Sequence, residues 1–295
     1  MATTVAQAFL DFKANLEITG LQKQTVSTRQ AHVREVLEAG LEVEDSFLTG
    51  SSSRSTMIAP LNEADVDVLV VLPASYFHHY REQGTNGGPA GLLDLVKRTL
   101  RRTYTRTPDI GRNGQAVTIR FSGFVVDVVP GVRRQGGGFL IPNSITQKWL
   151  STDPRTHVQL MVDANAAHGG SLVPMIKMLK GWNRASGGIL RSFHLEVLAL
   201  SILSNVRISD FPSGVRYVFD KGRALVTQRN PDPAGYGDDV GQYLNTQDKI
   251  QAAVAKFQVA YERAIRAEDH GRRGTLRDAI EAWRRVFGDY FPAYG

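Results

Sequence analysis

Two apolar runs that carry aspartates constrain the fold more than any other feature of this chain. Asp65 and Asp67 stand at the head of the run that ends at Leu72, and Asp127 lies inside the run 124–129. Both runs are apolar at consecutive positions, as in strands covered on both faces of a sheet. Residues two apart on a strand point to one face, so Asp65 and Asp67 share a face. The runs therefore predict a covered sheet with carboxylates in its strands.

The remaining periodicity divides the chain into two regions of different structure. In the first region we predict helices over 5–16, 22–40 and 90–105, and strands over 65–72, 115–121 and 123–129. In the second region the pattern indicates helices over 171–185, 191–206, 246–267 and 273–287. We therefore predict an α+β fold with two lobes: residues 1–150 form a mixed sheet with helices, and residues 151–295 form a helical C-terminal lobe.

Composition narrows the class of protein. The 295 residues suffice for one large domain or two lobes, and 42% of them are hydrophobic, which is enough for a core. The sequence has no long apolar run and no signal peptide, so we expect a cytoplasmic protein with no membrane partner. The absence of cysteine excludes disulfides and thiolate zinc sites. The net charge of +6 favours polyanionic partners such as nucleotides or nucleic acid.

The three aspartates predict a metal site. Like charges about 4 Å apart repel by roughly 4 kcal/mol at an effective dielectric constant of 20, so three converging carboxylates require a cation. Two magnesium ions fit best, because magnesium prefers hard oxygen ligands and keeps positions open for phosphate oxygens. Manganese is the alternative metal. The competing interpretation of the same residues is a set of solvated aspartates at strand ends.

A glycine-serine turn precedes the first aspartates. Backbone N–H groups at Gly50 and Ser51, with the Ser51 hydroxyl, suit the β- and γ-phosphates of a nucleotide. Taken alone, these two residues are explained as well by a simple turn into a helix. Together with Asp65, Asp67 and Asp127 they predict metal-dependent nucleotidyl transfer, in which Asp127 lies near the attacking hydroxyl and could accept its proton.

The order of these motifs resembles a known superfamily. Gly50-Ser51, Asp65-x-Asp67 and Asp127 are similar to the DNA polymerase β-like nucleotidyltransferases. Segments in the second half narrow the resemblance to the cGAS/DncV-like nucleotidyltransferases, the CD-NTases of bacterial anti-phage (CBASS) defence. These segments are 177–183, 192–196, Trp149 with Asp153-Pro154, Asp232-Pro233 with Asp239-Val240, and the ending 283–292. The similarity covers nearly the whole chain.

The resemblance implies roles for particular residues. Asp65, Asp67 and Asp127 match the metal triad. Lys180 and Ser192 match residues that contact the donor triphosphate, and Phe193 falls where an aromatic residue stacks on the base. Local patterns leave other interpretations open: Lys180 could lie on a solvated face, and Phe193 could belong to the core. The helical lobe would complete the nucleotide site.

The resemblance also implies an activity and partners. Such enzymes make a cyclic di- or trinucleotide second messenger from NTPs, with ATP among them, using magnesium, and a separately encoded effector responds to the product. A regulatory protein partner and activation by nucleic acid stay open. Two other functions fit the residues. One is a linear 2′–5′ oligoadenylate synthetase, or another enzyme that modifies RNA or a small molecule. The other is a non-catalytic nucleotide or RNA sensor.

Overall fold

The computed structural model of this chain describes residues 2–82, 86–106 and 109–295. The chain forms two compact units: Ile18–Gln159 is a sheet unit, and Met1–Glu17 joins Leu160–Gly295 in a helical unit. We predicted a boundary at residue 150, with the N-terminal helices in the first lobe. The structure instead divides the chain near residue 159 and packs the first helix with the C-terminal residues.

The helices and strands are numbered in chain order. The strands are β1 (Asp45–Leu48), β2 (Asp65–Leu72), β3 (Ile110–Asn113), β4 (Ala116–Arg120), β5 (Val125–Arg133), β6 (Phe139–Asn143) and β7 (Lys148–Thr152). The helices are α1 (Val5–Asn15), α2 (Gly20–Glu38), α3 (Gly50–Ser53), α4 (Ala74–His79), α5 (Gly88–Thr103), α6 (Pro154–Ala167), α7 (Leu172–Ala185), α8 (Ser192–Leu203), α9 (Phe211–Leu225), α10 (Gln247–Arg272) and α11 (Leu276–Phe287). Short 3-10 turns occupy Leu61–Glu63 and Gly288–Tyr290.

A mixed seven-stranded sheet forms the centre of the sheet unit. Its main path is β1-β2-β5-β4-β3, and β6 joins β5 to β7. The β2–β5 pair is parallel and the other pairs are antiparallel. Parallel neighbours need a long crossover connection, and the chain between β2 and β5 is long enough to provide it. The predicted mixed sheet with a helical C-terminal region is confirmed.

Strand β2 is covered on both faces, as its apolar run predicts. Val66, Val68, Val70 and Leu72 pack in the larger core cluster, which includes Leu37 of α2 and Leu92 of α5. On the other face, Leu69 and Val71 pack with Phe139 of β6. The aspartates share this second face but lie at the start of the strand. The apolar residues that follow the aspartates in β2 are buried, whereas Asp65 is exposed and Asp67 is half-buried.

Several elements escaped the sequence pattern. The short strands β1, β3, β6 and β7 were not predicted: they have only four or five residues each, and Pro142 lies within β6. Helix α9 has Pro212 at its start and Gly222 inside, both poor helix formers in most contexts. Tertiary packing explains Gly222: a Cβ there would lie 2.5 Å from the Phe257 ring. None of the helices in the described ranges combines the length and apolarity that crossing a membrane requires.

Candidate active site

The pairing of β2 with β5 brings the three predicted aspartates onto one face of the sheet. Asp67 and Asp127 are directly opposite each other in the parallel register, and Asp65 is opposite Val125. Neighbouring strands lie about 4.8 Å apart, so the Asp67 and Asp127 backbones are adjacent. Asp67 and Asp127 are half-buried, whereas Asp65 is exposed at the beginning of its strand. The spacing argument for a shared face therefore agrees with the observed register.

A threonine on the neighbouring strand orients Asp127. Thr118 of β4 is opposite Asp127 in the antiparallel register, and its Oγ1 donates to Asp127 Oδ1 at 2.5 Å. Thr118 is itself buried. Hydrogen bonds to an ionised group are roughly twice as strong as those between neutral groups, so this bond fixes the carboxylate. Sequence analysis missed Thr118; the available signal was a hydroxyl in an otherwise apolar strand next to the aspartate strand.

The glycine-serine turn packs directly against Asp67. The Thr49 N–H donates to the Asp67 carbonyl over 2.8 Å. Gly50 has φ +63°, and a Cβ built on it would lie only 1.8 Å from Asp67 Oδ2. Glycine is required here for two reasons, since it alone adopts this conformation readily and leaves room for the carboxylate. The structure thus brings together Gly50 and Asp67.

The hydroxyls of Ser52 and Ser53 are bonded to the backbone of the turn, whereas that of Ser51 has no hydrogen-bond partner among the described residues. Ser52 Oγ donates to the Thr49 carbonyl and Ser53 Oγ to the Gly50 carbonyl. The Ser51 carbonyl accepts the N–H groups of Thr56 and Met57, at 2.9 and 3.1 Å. In the part of the chain that the structure describes, Ser51 Oγ makes no bond, and the residue is half-buried. Ser51 therefore offers a hydroxyl to a ligand without breaking an internal bond.

The donor set suits a hard divalent cation. Three carboxylates on one face provide only oxygen ligands, as magnesium and manganese prefer. The three carboxylates are not gathered into a ready-made metal site. Across residues 2–82, 86–106 and 109–295, no three His, Cys, Asp or Glu side chains are close enough together to hold a metal ion. The backbone register supplies the shared face of the three carboxylates. The metal triad stays a prediction.

In the helical unit, Lys180 is buried and paired. Its side chain on α7 places Nζ 2.6 Å from Oε1 of Glu196 on α8, and the two residues are 4% and 0% exposed. The alternative that Lys180 lies on a solvated face is wrong. Buried charges persist when they are paired, which explains a glutamate in the otherwise apolar helix α8. Sequence analysis missed this partnership. Contact between Lys180 and a triphosphate stays a prediction.

Ser192 and Phe193 form the start of α8. Ser192 is its first residue and is exposed, and Phe193 is half-buried. The local pattern favoured a core position for Phe193, and the structure leaves part of that side chain accessible. An exposed hydroxyl and an accessible ring are compatible with the predicted contacts to phosphate and base. Those two roles stay predictions.

A buried histidine adjoins this helix start and was missed by sequence analysis. His194 Nδ1 lies 2.9 Å from the Tyr243 hydroxyl, which also accepts the Arg191 N–H over 2.9 Å. Burial lowers the pKa of His194 to about 4, although Asp239 acts in the opposite direction. Burial raises the pKa of Tyr243. His194 Nε2 has no hydrogen-bond partner among the described residues. A neutral histidine and a neutral tyrosine therefore anchor the residues before Phe193.

Comparison with known proteins assigns the chain to a family. Residues 3–165, more than half of the 295, match the SMODS family, described as the Second Messenger Oligonucleotide or Dinucleotide Synthetase domain. The matched region contains Gly50, Ser51 and the three aspartates. The chain belongs to this family. As a SMODS protein it is an enzyme, a nucleotidyltransferase of the cGAS/DncV-like CD-NTase class, and the predicted resemblance is confirmed.

Two curated relatives extend the similarity beyond the SMODS domain. An Acinetobacter protein named cyclic AMP-AMP-AMP synthase is 25% identical over 98% of this chain and 86% of its own length. A Bacillus cereus protein named probable cyclic nucleotide synthase is 23% identical over 83% of this chain and 81% of its own length. Both alignments reach well past residue 165. The C-terminal helices of this SMODS protein therefore belong to the shared architecture.

Solved structures share the fold. CdnC of Escherichia coli MS115-1, determined with ATP and in a complex with HORMA-deltaN, superposes with a TM-score of 0.76 at 18% identity over 98% of this chain. These alignments cover 98% and 99% of the CdnC chains. The Vibrio cholerae cyclic AMP-GMP synthase DncV matches with a TM-score of 0.67 at 16% identity, over 97% of this chain and 87% of its own. The CD-NTase fold of this SMODS protein is thus confirmed.

Proposed function

We propose that this SMODS protein joins NTPs into a cyclic di- or trinucleotide second messenger that serves anti-phage defence. The observation that carries this proposal is the register of β2 and β5, which puts three aspartates on one face while Gly50 packs against Asp67. The relative named cyclic AMP-AMP-AMP synthase makes ATP the first substrate to test. E. coli CdnC has been solved with ATP, which supports the same choice.

Asp65, Asp67 and Asp127 are the residues that would hold two magnesium ions, with manganese as a substitute. When bound, such ions neutralise the triphosphate and lower the pKa of the attacking hydroxyl. The carboxylates suit this role because all three are oxygen donors on one face of the sheet. Gly50 keeps the turn close to Asp67 without steric overlap, so the turn and the carboxylates can act on a single triphosphate.

The chain's own groups bind phosphate and move a proton. The N–H groups of Gly50 and Ser51, and the Ser51 hydroxyl, donate to the β- and γ-phosphates. The acceptor hydroxyl oxygen forms a bond to the α-phosphorus, the bond from this phosphorus to the bridging oxygen breaks, and pyrophosphate leaves. Asp127 accepts the hydroxyl proton on Oδ2, since Oδ1 already accepts from Thr118. In the last transfer, a hydroxyl of the linear product attacks the α-phosphorus of its own 5′ triphosphate, and pyrophosphate leaves as the ring closes.

Three residues of the helical unit contact the donor nucleotide in this proposal. Lys180 contributes positive charge to the triphosphate, and Glu196 sets the position of its ammonium group. Ser192 donates its exposed hydroxyl to a phosphate oxygen. Phe193 stacks its accessible ring on the base, an interaction that tolerates any base and does not specify the product.

Protein partners complete the proposal. In this proposal a separately encoded effector protein responds to the cyclic product. The complex of E. coli CdnC with HORMA-deltaN supports adding a regulatory protein to the candidate partners. Binding of such a protein is measurable without substrate and is independent of turnover.

The decisive experiment is a product assay with matched aspartate variants. Purified protein is incubated with magnesium and four labelled NTPs, treated with phosphatase, and analysed by chromatography and mass spectrometry. We expect a phosphatase-resistant species with the mass of a cyclic di- or trinucleotide. The Asp65→Asn/Asp67→Asn variant and an EDTA-treated sample should both lack it. Asp94→Asn removes a carboxylate paired with Arg112 away from the site and should retain it.

Other outcomes identify the competing functions. A linear product that phosphatase shortens would support the oligoadenylate synthetase alternative. Normal turnover by the Asp65→Asn/Asp67→Asn variant would contradict the proposed mechanism. If no product forms with or without added duplex DNA, magnesium–ATP binding is measured next, and unchanged binding in the double variant would favour a sensor.

Thr118 provides a finer test of the proton-transfer role. The bond from Thr118 to a charged carboxylate is worth roughly 1.5–3 kcal/mol, so Thr118→Ala should lower kcat by about tenfold or more. Thr118→Ser keeps the hydroxyl and should retain most of the activity. Equal rates for the alanine and serine variants would remove Thr118 from the mechanism.

A further inference from the structure

A small basic cavity lies between α10 and α11 in the helical unit. Its volume is about 280 Å³, and it is lined by Arg263, Arg266, His270, Ala282 and Arg285. Three guanidinium groups and one imidazole thus face one concave space, and none of these lining residues is acidic. The cavity contains none of the residues assigned above to nucleotidyl transfer.

Two of the three arginines in this cavity, Arg263 and Arg285, lack a carboxylate partner among the described residues. Arg263 Nη1 donates to the backbone carbonyl of Arg285 over 2.5 Å, which holds the two residues together. Neither arginine forms an ion pair with a carboxylate in the described chain. Arg266 is paired with Glu262 at 4.0 Å and also donates from Nε to the Glu262 carbonyl over 3.3 Å. His270 Nδ1 lies 4.0 Å from Asp278 Oδ2, so these two lining residues have acidic neighbours at the limit of ion-pair distance.

Three other arginines in or next to the same helices are paired. Arg272 and Arg273 both contact Asp269, at 3.4 and 2.7 Å. Arg284 contacts Asp289 at 3.0 Å. Among the described arginines of α10 and α11, Arg263, Arg277 and Arg285 form no ion pair, and two of these three line the cavity.

Phosphate is the anion that best matches the arginines that line the basic cavity. Like charges that converge in one space repel each other, and a bound anion removes that repulsion. Arginine presents a planar fork of donors that binds phosphate in a bidentate manner. A cavity of about 280 Å³ is near the lower end of ligand sites, so it suits phosphate groups better than a complete large ligand.

A second cavity continues from the first. It has a volume of about 380 Å³ and shares Arg263 and Arg285 with the basic cavity. Its other walls include Lys256 and the apolar residues Trp182 and Val286. Val259 also lines it and is 43% exposed, so its side chain is accessible to a ligand. A ligand that fits both cavities carries phosphate at one end and a flat apolar group at the other.

We propose that these adjoining cavities form a second nucleotide site, which binds a ribonucleoside phosphate. Arg263, Arg266 and Arg285 contact the phosphates, and the base lies against Val259, Val286 and Trp182. The ligand is either an NTP or a cyclic oligonucleotide, since both carry phosphate and base. This site is independent of the proposed catalysis and can be tested in an inactive protein.

The test measures bound ATP by isothermal titration calorimetry in an Asp67→Asn background, which prevents consumption of the ligand. Arg263→Glu/Arg285→Glu is compared with Arg273→Glu/Arg277→Glu, which makes the same charge change beside the cavity. We expect the cavity variant to lose one equivalent of bound ATP, or at least tenfold in affinity for it, while the control variant binds like the background. Equal stoichiometry and affinity in all three proteins would overturn the proposal. Melting temperatures confirm that both variants are folded.

Further ligands identify the source and the chemistry. Adenosine should not bind the site, because it lacks phosphate. Inorganic triphosphate should bind more weakly than ATP, because it lacks the base. Equal binding of inorganic triphosphate and ATP would overturn the proposed base contact. A cyclic dinucleotide that binds more tightly than ATP would identify the product class, and the reverse order would identify the substrate class. If the cavity variant loses only duplex DNA binding, the surface belongs to a nucleic-acid interface and the nucleotide proposal fails.

Discussion

Gly50 is the residue that lets the phosphate turn and the aspartates occupy adjacent space. Its φ of +63° lies in the left-handed region, and Asp67 Oδ2 fills the position that a Cβ would take. Any side chain must therefore either move the turn or rotate the carboxylate. The identity of residue 50 is thus dictated by the position of Asp67, which comes from another segment of the chain.

We expect Gly50→Ala to lower kcat/KM by about a hundredfold or more, because misplacement of reacting groups by about 1 Å costs that much. Gly123→Ala is the matched control, since a Cβ there meets no atom within 4 Å. Initial rates and melting temperatures of both variants are compared. Loss of rate without gross unfolding in Gly50→Ala supports the role; similar rates in the two variants would contradict it.

His194 predicts a pH dependence of stability. Its pKa in the folded protein is about 4, below the ordinary value of 6.5. Between pH 6.5 and 4, His194 therefore binds a proton in the unfolded chain but stays neutral in the folded chain. Stability is complete above pH 6.5 and falls as the pH decreases toward 4, by about 3 kcal/mol over this range.

The measurement is the free energy of unfolding by urea at several pH values, for the natural protein and for His194→Gln. We expect the slope between pH 6.5 and 4 to be smaller in the variant, since the titrating group is gone. Contributions from other titrating groups are common to both proteins and cancel in the difference. Parallel slopes for the two proteins would show that His194 titrates normally.

At the scale of elements, the pair Lys180–Glu196 joins α7 to α8. Both side chains are buried, so removal of one partner leaves an uncompensated charge. Lys180→Met should destabilise the protein by about 3–5 kcal/mol, and adding Glu196→Leu should recover most of this loss. Lys177→Met is the control, because its partner Glu17 is partly exposed and its pair matters less.

The double variant also separates the structural role of Lys180 from its proposed contact with nucleotide. A folded Lys180→Met/Glu196→Leu protein with a raised KM for ATP would support the phosphate contact. The same protein with an unchanged KM would limit Lys180 to the interhelical pair. Thermal unfolding and steady-state kinetics on the same samples provide both readings.

At the scale of the whole molecule, the two ends of the chain pack together. Phe9 of α1 lies 5.0 Å from the ring of Trp283 and 5.1 Å from that of Phe291, centroid to centroid. Phe12 lies 4.4 Å from Phe287. These contacts explain why residues 1–17 belong to the helical unit, although we predicted them in the first lobe. Their apolar pattern indicated a buried helix but not its partner.

Phe9→Ala should lower the free energy of unfolding by about 3–5 kcal/mol, because it leaves a cavity in a fully packed aromatic cluster. Leu10→Ala changes the neighbouring residue, which is 54% exposed, and should cost far less. Urea unfolding of the two variants measures the difference. Equal losses would mean that α1 does not pack with the C-terminal helices in solution.

The sequence by itself determined the local features of this protein. The continuous apolar runs predicted β2 and the first part of β5, and the aspartates, the glycine-serine turn and the longer C-terminal helices were recognisable where they stand. These features depend on residues close together in the chain, so periodicity and motif order reveal them. The same signals predicted the family, because the motifs are local and follow one another in a characteristic order.

Only the tertiary structure decided which distant residues meet. It placed Asp67 beside Asp127, gave Asp127 a hydrogen bond from Thr118, buried Lys180 against Glu196, and packed Phe9 with the C-terminal aromatics. It also formed the basic cavity from arginines of two helices. Such pairings depend on register and on the packing of whole elements. A buried charge, a strained glycine or an unpaired arginine acquires its meaning from neighbours that the linear pattern does not specify.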